Sequence, residues 1–307
     1  MLVTVIGLWA LAFVLIAPAA HALAAATWVQ REPRAALVLW QALGLASGLA
    51  LVGGALALAL APMGDTFSHA LTNYVQAVRA GDVVAKLGPV HGVLLILALS
   101  LLAWLCGVTA RRAWNMLRAR WHHRALVDLV TTPLDSTEEG PRLLTHPTPA
   151  AYCLPGTSSR IVITTGALEL LDEDELDAVL AHERAHLGER HDLVTLPFTA
   201  WASAFPMLSG PRAAQVAVAE LIEMIADDRA CQGRDRHTLA AALARLALSR
   251  AQEVPEGAMA AAHAGALSRV QRLLNEQAPA PQARAVAYIS AVALLAIPTV
   301  ALLFPVL

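Results

Sequence analysis

Long apolar runs alternate with short polar segments along this chain, and one large polar region separates the last run from the others. The apolar runs cover residues 2–25, 36–61, 89–110 and 285–307. Each run is close to the roughly 20 residues that a helix needs to cross a bilayer. The pattern therefore predicts four transmembrane helices, with the first three inside residues 1–110 and with residues 63–88 as an external loop.

The first apolar run has an alternative interpretation as a cleavable signal peptide. Residues 18–22 resemble a cleavage site because small alanines dominate there. A signal peptide also needs a basic segment ahead of its apolar core, and no Lys or Arg precedes this run. The sequence therefore favours a retained helix.

The composition is typical of a membrane protein. Hydrophobic residues make up 57% of the 307 residues and charged residues 15%, whereas a soluble domain has about 25% charged residues. The mean hydropathy is +0.56. We therefore expect a multi-pass protein of the plasma membrane, with the lipid bilayer as a partner. The formal net charge of −2 gives no reason to expect direct nucleic-acid binding.

Arginines predict which side of the membrane each segment faces. They follow the first and third apolar runs and precede the fourth, whereas the charges of residues 63–88 cancel. Positive residues collect on the cytoplasmic side, so residues 111–284 are predicted to form a cytoplasmic domain with both chain ends outside. The basic, tryptophan-containing stretch 111–124 is interpreted as a juxtamembrane anchor rather than a nucleic-acid site.

Two short β-strands are predicted inside the polar region. Residues 151–154 and residues 160–165, which are β-branched from Ile161 onwards, flank a turn that begins at Pro155-Gly156. A strand edge beside a protease site can hold an extended substrate through backbone hydrogen bonds. A hairpin with a purely structural role is the open alternative.

Residues 181–187 read Ala-His-Glu-Arg-Ala-His-Leu and carry the strongest chemical signal. Residues four apart share a helix face, so His182 and His186 point two imidazoles at one ion, with Glu183 beside them. Zinc suits imidazole and lowers the pKa of its water towards about 7, and a neighbouring carboxylate accepts the proton. This chemistry hydrolyses peptide bonds. The alternative is a helix with two solvent-facing histidines, but the acidic first turn at 172–175 favours the zinc site.

A zinc ion held by two histidines needs a third protein ligand, and a carboxylate is a usual one. The helical segment 219–230 offers Glu220 and Glu223. Asp227 lies one turn beyond Glu223, where it can accept a hydrogen bond from a ligating imidazole. In the alternative interpretation, Asp227 lies on a solvated helix face and pairs with Arg229 or one of its neighbours.

The two motifs together resemble a known group. H-E-x-x-H at residues 182–186 and E-x-x-A-D at residues 223–227 resemble the signature of membrane gluzincins. Three spans, a zinc domain and a last span are similar to BlaR/MecR-type proteases rather than to the HtpX/CAAX-prenyl-protease type. The resemblance implies Zn2+ as cofactor, Glu223 rather than Glu220 as the third ligand, and Glu183 as the general base. The expected fold is mainly α, a polytopic membrane protein with a cytoplasmic, gluzincin-like α+β zinc protease domain.

By the same resemblance, we expect a membrane-embedded zinc endopeptidase that cleaves a cytoplasmic transcriptional repressor. The 307 residues contain no penicillin-binding sensor domain, so an external signal is expected to pass through residues 63–88, the spans or a partner. Open alternatives are an HtpX-type quality-control protease and a non-catalytic receptor or scaffold, and self-association also stays open. His263 is a candidate for oxyanion stabilisation, although its surroundings favour a surface histidine.

Overall fold

The computed structural model describes residues 1–134, 140–156, 159–251, 256–275 and 278–304, without the side chains of residues 250–264. The described chain is mainly helical. Its α-helices are Leu2–Val14 (α1), Ala20–Ala24 (α2), Pro33–Ala59 (α3), Phe67–Ala80 (α4), Val83–Val130 (α5), Thr165–Leu170 (α6), Glu173–Gly188 (α7), His191–Ala204 (α8), Ser209–Ala230 (α9), Arg236–Ala251 (α10), Glu256–Leu274 (α11) and Pro281–Leu303 (α12). A π-helical turn at Leu15–Ala19 joins α1 to α2.

The chain divides into two compact units. The apolar unit contains Met1–Arg111, Pro197–Val218 and Ala280–Leu307. Within the described residues, four helical stretches are long and apolar enough to cross a membrane, namely Leu2–Ala24, α3, α5 and α12. This confirms the prediction of a mainly α protein with four apolar helices.

The third apolar helix is longer than the sequence predicts. It begins at Val83 rather than residue 89, and it continues past residue 110 to Val130. A break lies at Gly88, where φ is +72°, directly before Pro89. Proline disfavours helical angles in the residue before it, and glycine tolerates a positive φ. The predicted start therefore coincides with this break.

Small residues let other elements approach α3 closely. A Cβ atom at Gly48 would lie 3.2 Å from the Trp201 ring, and one at Gly44 would lie 3.8 Å from the Phe198 ring. The sequence assigns Trp201 and Phe198 to the 111–284 domain, whereas their segment, Pro197–Val218, groups with the apolar helices. The difference arises because large aromatic side chains gain contact area against a glycine surface.

Polar contacts mark the two ends of the apolar unit. At one end, the backbone N–H of Ala280 donates to Oε1 of Glu32 at 3.0 Å, which places the starts of α3 and α12 side by side. At the other end, Oγ of Ser68 donates to the carbonyl oxygen of Leu303 at 3.3 Å. The helices α3 and α12 therefore run in the same direction.

The second unit contains Arg112–Leu196 and Ala219–Pro279. Its four-stranded sheet consists of Thr131–Pro133 (β1), Arg142–Leu144 (β2), Ala151–Leu154 (β3) and Arg160–Thr164 (β4), in the order β1-β2-β4-β3. The predicted hairpin is present as the antiparallel pair β3–β4; the turn residues 157–158 lie outside the described residues. Strands β1 and β2 were not predicted, and β2 pairs with β4 in parallel.

The helix α7 holds the central position in this unit. It begins with a capping box, in which Oδ1 of Asp172 accepts from the Glu175 N–H at 2.9 Å and Oε2 of Glu175 accepts from the Asp172 N–H at 3.1 Å. Leu180 packs against Ile163 of the sheet. On another face, Ala178 joins a buried cluster with residues of α9, α10 and α11. The sheet and three helices therefore fix the position of α7.

Candidate metal centre

Two neighbouring turns of α7 place both histidines of the H-E-x-x-H motif at one point. Nε2 of His182 lies 3.1 Å from Nε2 of His186. Glu223 of α9 reaches the same point, with Oε2 3.5 Å from Nε2 of His182 and Oε1 3.5 Å from Nε2 of His186. The structure thus brings together the three residues for which the sequence predicts metal binding.

These distances fit a tetrahedral zinc ion. Zinc binds imidazole nitrogen at about 2.0–2.1 Å, so two ligand atoms at the tetrahedral angle lie roughly 3.3 Å apart. The three observed separations are 3.1, 3.5 and 3.5 Å. Two nitrogens and a carboxylate oxygen are also a donor set that catalytic zinc sites use. The residues present therefore fit the cofactor that the sequence predicts.

The two glutamates that the sequence offered as third ligand lie in different surroundings. Glu223 is partly buried and belongs to the cluster, whereas Glu220 is exposed and lies outside it. Residues that are three positions apart on an α-helix are offset by about 60° around its axis. Glu220 and Glu223 therefore project in different directions from α9. Glu223, which the family resemblance implied as the third ligand, is the glutamate that lies near both imidazoles.

Asp227 lies directly behind the first histidine. It is fully buried, and its Oδ1 lies 3.0 Å from Nδ1 of His182. A carboxylate in this position fixes the orientation of a ligating imidazole and raises its basicity. The alternative pairing of Asp227 with Arg229 is not observed, because the exposed Arg229 donates to Gln232 instead.

An arginine that the sequence analysis did not connect with the site completes it. Arg269 of α11 donates to both carboxylate oxygens of Asp227, and its Nη1 lies 2.8 Å from Oε2 of Glu223. No spacing signal pointed to this residue, because 42 positions separate it from Asp227. It was noted only as one of the arginines that precede the last apolar run.

The charges within the cluster shift several pKa values. Burial alone lowers the pKa of His182, but Asp227 and Glu223 raise it to about 9. Burial and the charge of His182 lower the pKa of His186 to about 4. Burial raises the pKa of Glu223, whereas His182 and Arg269 lower it to about 2. At neutral pH, Glu223 and His186 therefore have the ionisation states of metal ligands, and His182 must release a proton from Nε2.

The predicted general base lies beside the sheet. Burial raises the pKa of Glu183, and the charge of His182 opposes this shift. Its carboxylate accepts hydrogen bonds from Cys153 of β3, through the thiol and through the backbone. Burial and the charge of Glu183 raise the pKa of Cys153, so the thiol stays protonated and acts as a donor. A carboxyl group with a raised pKa is suited to proton transfer near neutral pH.

Two further histidines concern the site. His191, to which the sequence analysis assigned no role, is buried, and its Nδ1 lies 2.9 Å from Nδ1 of His186. Its position relative to the motif is set by a turn that spacing rules do not anticipate. The candidate oxyanion residue His263 lies in α11, and its side chain is outside the described residues.

Two imidazoles and a carboxylate around one point, with a second carboxylate beside them, define a metallopeptidase-type site. The family model of peptidase family M48 matches residues 117–278, which include every residue of this site. The chain belongs to peptidase family M48, whose members are zinc metalloproteases. The metallopeptidase class predicted from the sequence is confirmed, whereas the BlaR/MecR subtype is not.

One curated relative supports the same family. A Protease HtpX homolog of Pelotomaculum thermopropionicum (strain DSM 13744 / JCM 10971 / SI) is 43% identical over 51 residues, which are 17% of this chain and 18% of the relative. The match therefore spans less than a fifth of that protein. No solved structure matches the chain.

Proposed function

We propose that this protein is a membrane-embedded zinc endopeptidase of HtpX type that cleaves membrane proteins, with its catalytic unit on the cytoplasmic side. The observation that carries the proposal is the convergence of His182, His186 and Glu223 at separations of 3.1–3.5 Å. An intact Glu183 beside them favours an enzyme over a non-catalytic receptor or scaffold.

The residues around the metal position divide the chemistry between them. Zinc bound there supplies a Lewis acid that polarises a peptide carbonyl and acidifies water. Glu183 accepts a proton from water and delivers it to the departing amine. Asp227 and Arg269 hold His182 and Glu223 in position through the contacts described above. Cys153 orients the Glu183 carboxylate.

A sheet edge lies beside the proposed general base. In the sheet order, β3 is a terminal strand, and its Cys153 contacts Glu183. An extended peptide paired along β3 would therefore run past the general base, as β-augmentation requires. This arrangement favours the substrate-binding interpretation of the hairpin over a purely structural one.

The HtpX-type alternative has more support than repressor cleavage. The relative with a printed activity is a Protease HtpX homolog. The segment Pro197–Val218, which follows the zinc helix, groups with the apolar helices. A catalytic unit that is preceded, interrupted and followed in the chain by apolar segments favours substrates of the same membrane. Cleavage of a transcriptional repressor remains a prediction from the sequence resemblance alone.

The charges at the ends of the apolar helices support the proposed cytoplasmic location. Glu32 accepts from the Ala280 N–H, so the starts of α3 and α12 lie at the same end of the apolar unit. Three arginines lie next to these helix starts in the sequence, namely Arg31 and Arg34 at the start of α3 and Arg284 at the start of α12. Positive residues favour the cytoplasmic side, so this arrangement supports a cytoplasmic location of the catalytic unit.

Replacement of the general base tests the proposal. In cells that express Glu183→Gln, we expect unchanged zinc content and a loss of turnover of about 10²–10⁴-fold, the usual contribution of a general base. Comparison with the wild-type proteome should then show many membrane proteins accumulating. Glu173→Gln, an exposed position on the same helix, is the matched control. Accumulation of one DNA-binding repressor alone would favour the signalling alternative, and unchanged cleavage would refute the enzyme.

A further inference from the structure

His191 is a buried histidine that the proposed reaction does not use. It belongs to the same unit as the metal centre, and its Nδ1 lies 2.9 Å from Nδ1 of His186. The two rings are almost perpendicular, with an interplanar angle of 85° and centroids 4.9 Å apart. His191 therefore contacts the side of the His186 ring opposite to the metal position, and it is a neighbour of the ligand rather than a ligand.

The backbone turn after α7 creates this contact. Five positions along a continuous helix correspond to a rotation of about 140°, which would put residue 191 on a different face from His186. Instead, α7 ends at Gly188, and Arg190 adopts φ +47°, the left-handed conformation that non-glycine residues rarely take. The next helix, α8, begins at His191, and the change of chain direction at Arg190 brings the His191 imidazole into contact with His186. Non-glycine residues in the left-handed conformation are concentrated at functional sites, so the turn at Arg190 suggests a functional role for the contact that it creates.

The proton positions on the two rings follow from the geometry. Nε2 of His186 faces His182 and Glu223, so its lone pair must be available to a cation. The proton of a neutral His186 then resides on Nδ1. That N–H donates to Nδ1 of His191, which leaves the proton of His191 on Nε2. Oε2 of Glu189 lies 3.5 Å from this nitrogen.

We infer that His191 is a positioning residue, which accepts a hydrogen bond from Nδ1–H of His186 and thereby fixes the orientation and tautomer of this zinc ligand. His191 fixes the orientation of the His186 ring as Asp227 fixes that of the His182 ring, but His191 is a neutral hydrogen-bond acceptor and Asp227 is a charged one. The inference rests on the proposed function, since it concerns a ligand of the proposed zinc ion. Partners of this kind typically contribute 10–100-fold to metal affinity.

A pair of substitutions separates hydrogen bonding from packing. Asn and Leu have nearly the same shape, and the Oδ1 of asparagine takes the place of the Nδ1 of histidine. The full chain in detergent micelles is titrated with zinc against a competing chelator, for the wild type, His191→Asn and His191→Leu. We expect wild-type-like affinity for His191→Asn and about 10–100-fold weaker binding for His191→Leu. The exposed His237 provides matched controls, His237→Asn and His237→Leu, which should bind zinc as the wild type does.

Two further readouts keep the test decisive. The absorption spectrum of bound cobalt(II) should change in His191→Leu and not in His191→Asn, and the unfolding temperature of the metal-free protein reports packing separately. Should His191→Leu fail to fold, His191→Gln replaces it, because its amide reaches towards the Nε2 position and away from His186. Equal zinc affinity in the Asn and Leu variants, whether high or low, would overturn the positioning role. Failure of the wild type to bind zinc would instead refute the metal site itself.

Discussion

The guanidinium of Arg269 donates two hydrogen bonds to the carboxylate of Asp227, from Nε to Oδ2 at 2.8 Å and from Nη2 to Oδ1 at 2.6 Å. Asp227 also lies 3.0 Å from Nδ1 of His182, and Arg269 lies 2.8 Å from Glu223. Arg269 therefore connects Asp227, which contacts the metal ligand His182, with the second metal ligand Glu223. The helices α7, α9 and α11 meet through these contacts, so the metal position depends on the packing of all three.

Removal of Arg269 should affect both stability and metal binding. In Arg269→Met the fully buried carboxylate of Asp227 loses its bidentate partner, and breaking such a pair costs about 3 kcal/mol. We expect a lower unfolding temperature for the metal-free protein and weaker zinc binding, because Glu223 also loses a partner. Arg229→Met, which changes an exposed arginine on α9, is the control. Equal unfolding temperatures in the two variants would contradict the proposed contact network.

The two candidate glutamates on α9 provide an internal comparison. A ligand that binds only the folded state at 100 times its dissociation constant stabilises a protein by about 2.7 kcal/mol. We expect zinc to raise the unfolding temperature of the wild type and of Glu220→Ala, and a chelator to reverse the rise. Glu223→Ala should lose most of this zinc-dependent rise. A large zinc effect in Glu223→Ala, together with its absence in Glu220→Ala, would transfer the ligand role to Glu220.

The contact of Cys153 with Glu183 predicts a small but defined contribution to turnover. The thiol donates to the carboxylate, and a hydrogen bond to a charged group contributes about 1.5 kcal/mol, which is close to tenfold in rate. We expect kcat to fall by roughly tenfold in Cys153→Ala, and to stay near the wild-type value in Cys153→Ser, whose hydroxyl also donates. Zinc content should be unchanged in both. A full loss of activity in Cys153→Ser would indicate a role for the sulfur itself.

The sequence was sufficient for those parts of the site that lie close together along one helix. His182, Glu183 and His186 follow from a spacing of four, and Asp227 follows from its distance of one turn from Glu223. In the structure, His182 and His186 come together with Glu223, and Asp227 lies next to His182. The choice between Glu220 and Glu223 needed the family resemblance, because the position at which α9 faces α7 is a property of tertiary packing.

Contacts that depend on distant segments were not predictable in this way. Arg269 reaches the site through α11, and His191 through a left-handed turn at Arg190. Strands β1 and β2 have only three residues each, too few to produce an alternating pattern. The apolar segment 193–208 is short and contains prolines, so the sequence left two partners open for it, the core of the domain and the bilayer surface. In the structure, Phe198 and Trp201 of α8 pack against the glycines of α3.

The orientation in the membrane can be tested by labelling. Gln76 is exposed on α4, and Glu173 is exposed at the start of α7. In variants that lack the native cysteines, a membrane-impermeant maleimide should label Gln76→Cys in intact cells, and should label Glu173→Cys only after lysis. This result follows from the arginine distribution, which assigns residues 63–88 to the outside. The opposite labelling pattern would place the catalytic unit outside and exclude a cytoplasmic substrate.

The packing of Trp201 against Gly48 makes a prediction for the apolar unit. A Cβ atom at Gly48 would already lie 3.2 Å from the Trp201 ring, so the larger side chain of Gly48→Leu must displace that ring. Overpacking of this kind costs typically about 1–3 kcal/mol. Gly107→Leu is the matched control, because a Cβ at Gly107 has no neighbour within 4 Å. We therefore expect Gly48→Leu, and not Gly107→Leu, to lower the unfolding temperature in detergent micelles.

A double-mutant cycle shows whether this loss comes from the contact itself. When Trp201 is first reduced to alanine, the leucine at position 48 has room, so Gly48→Leu should cost much less in the Trp201→Ala background. Phe205→Ala, which removes the ring 5.8 Å from that of Trp201, is the control background and should leave the cost of Gly48→Leu unchanged. Additive effects of Gly48→Leu and Trp201→Ala would mean that α8 does not pack on α3. In that case the segment after the zinc helix would be covered by lipid or by another protein instead of by the glycines of α3.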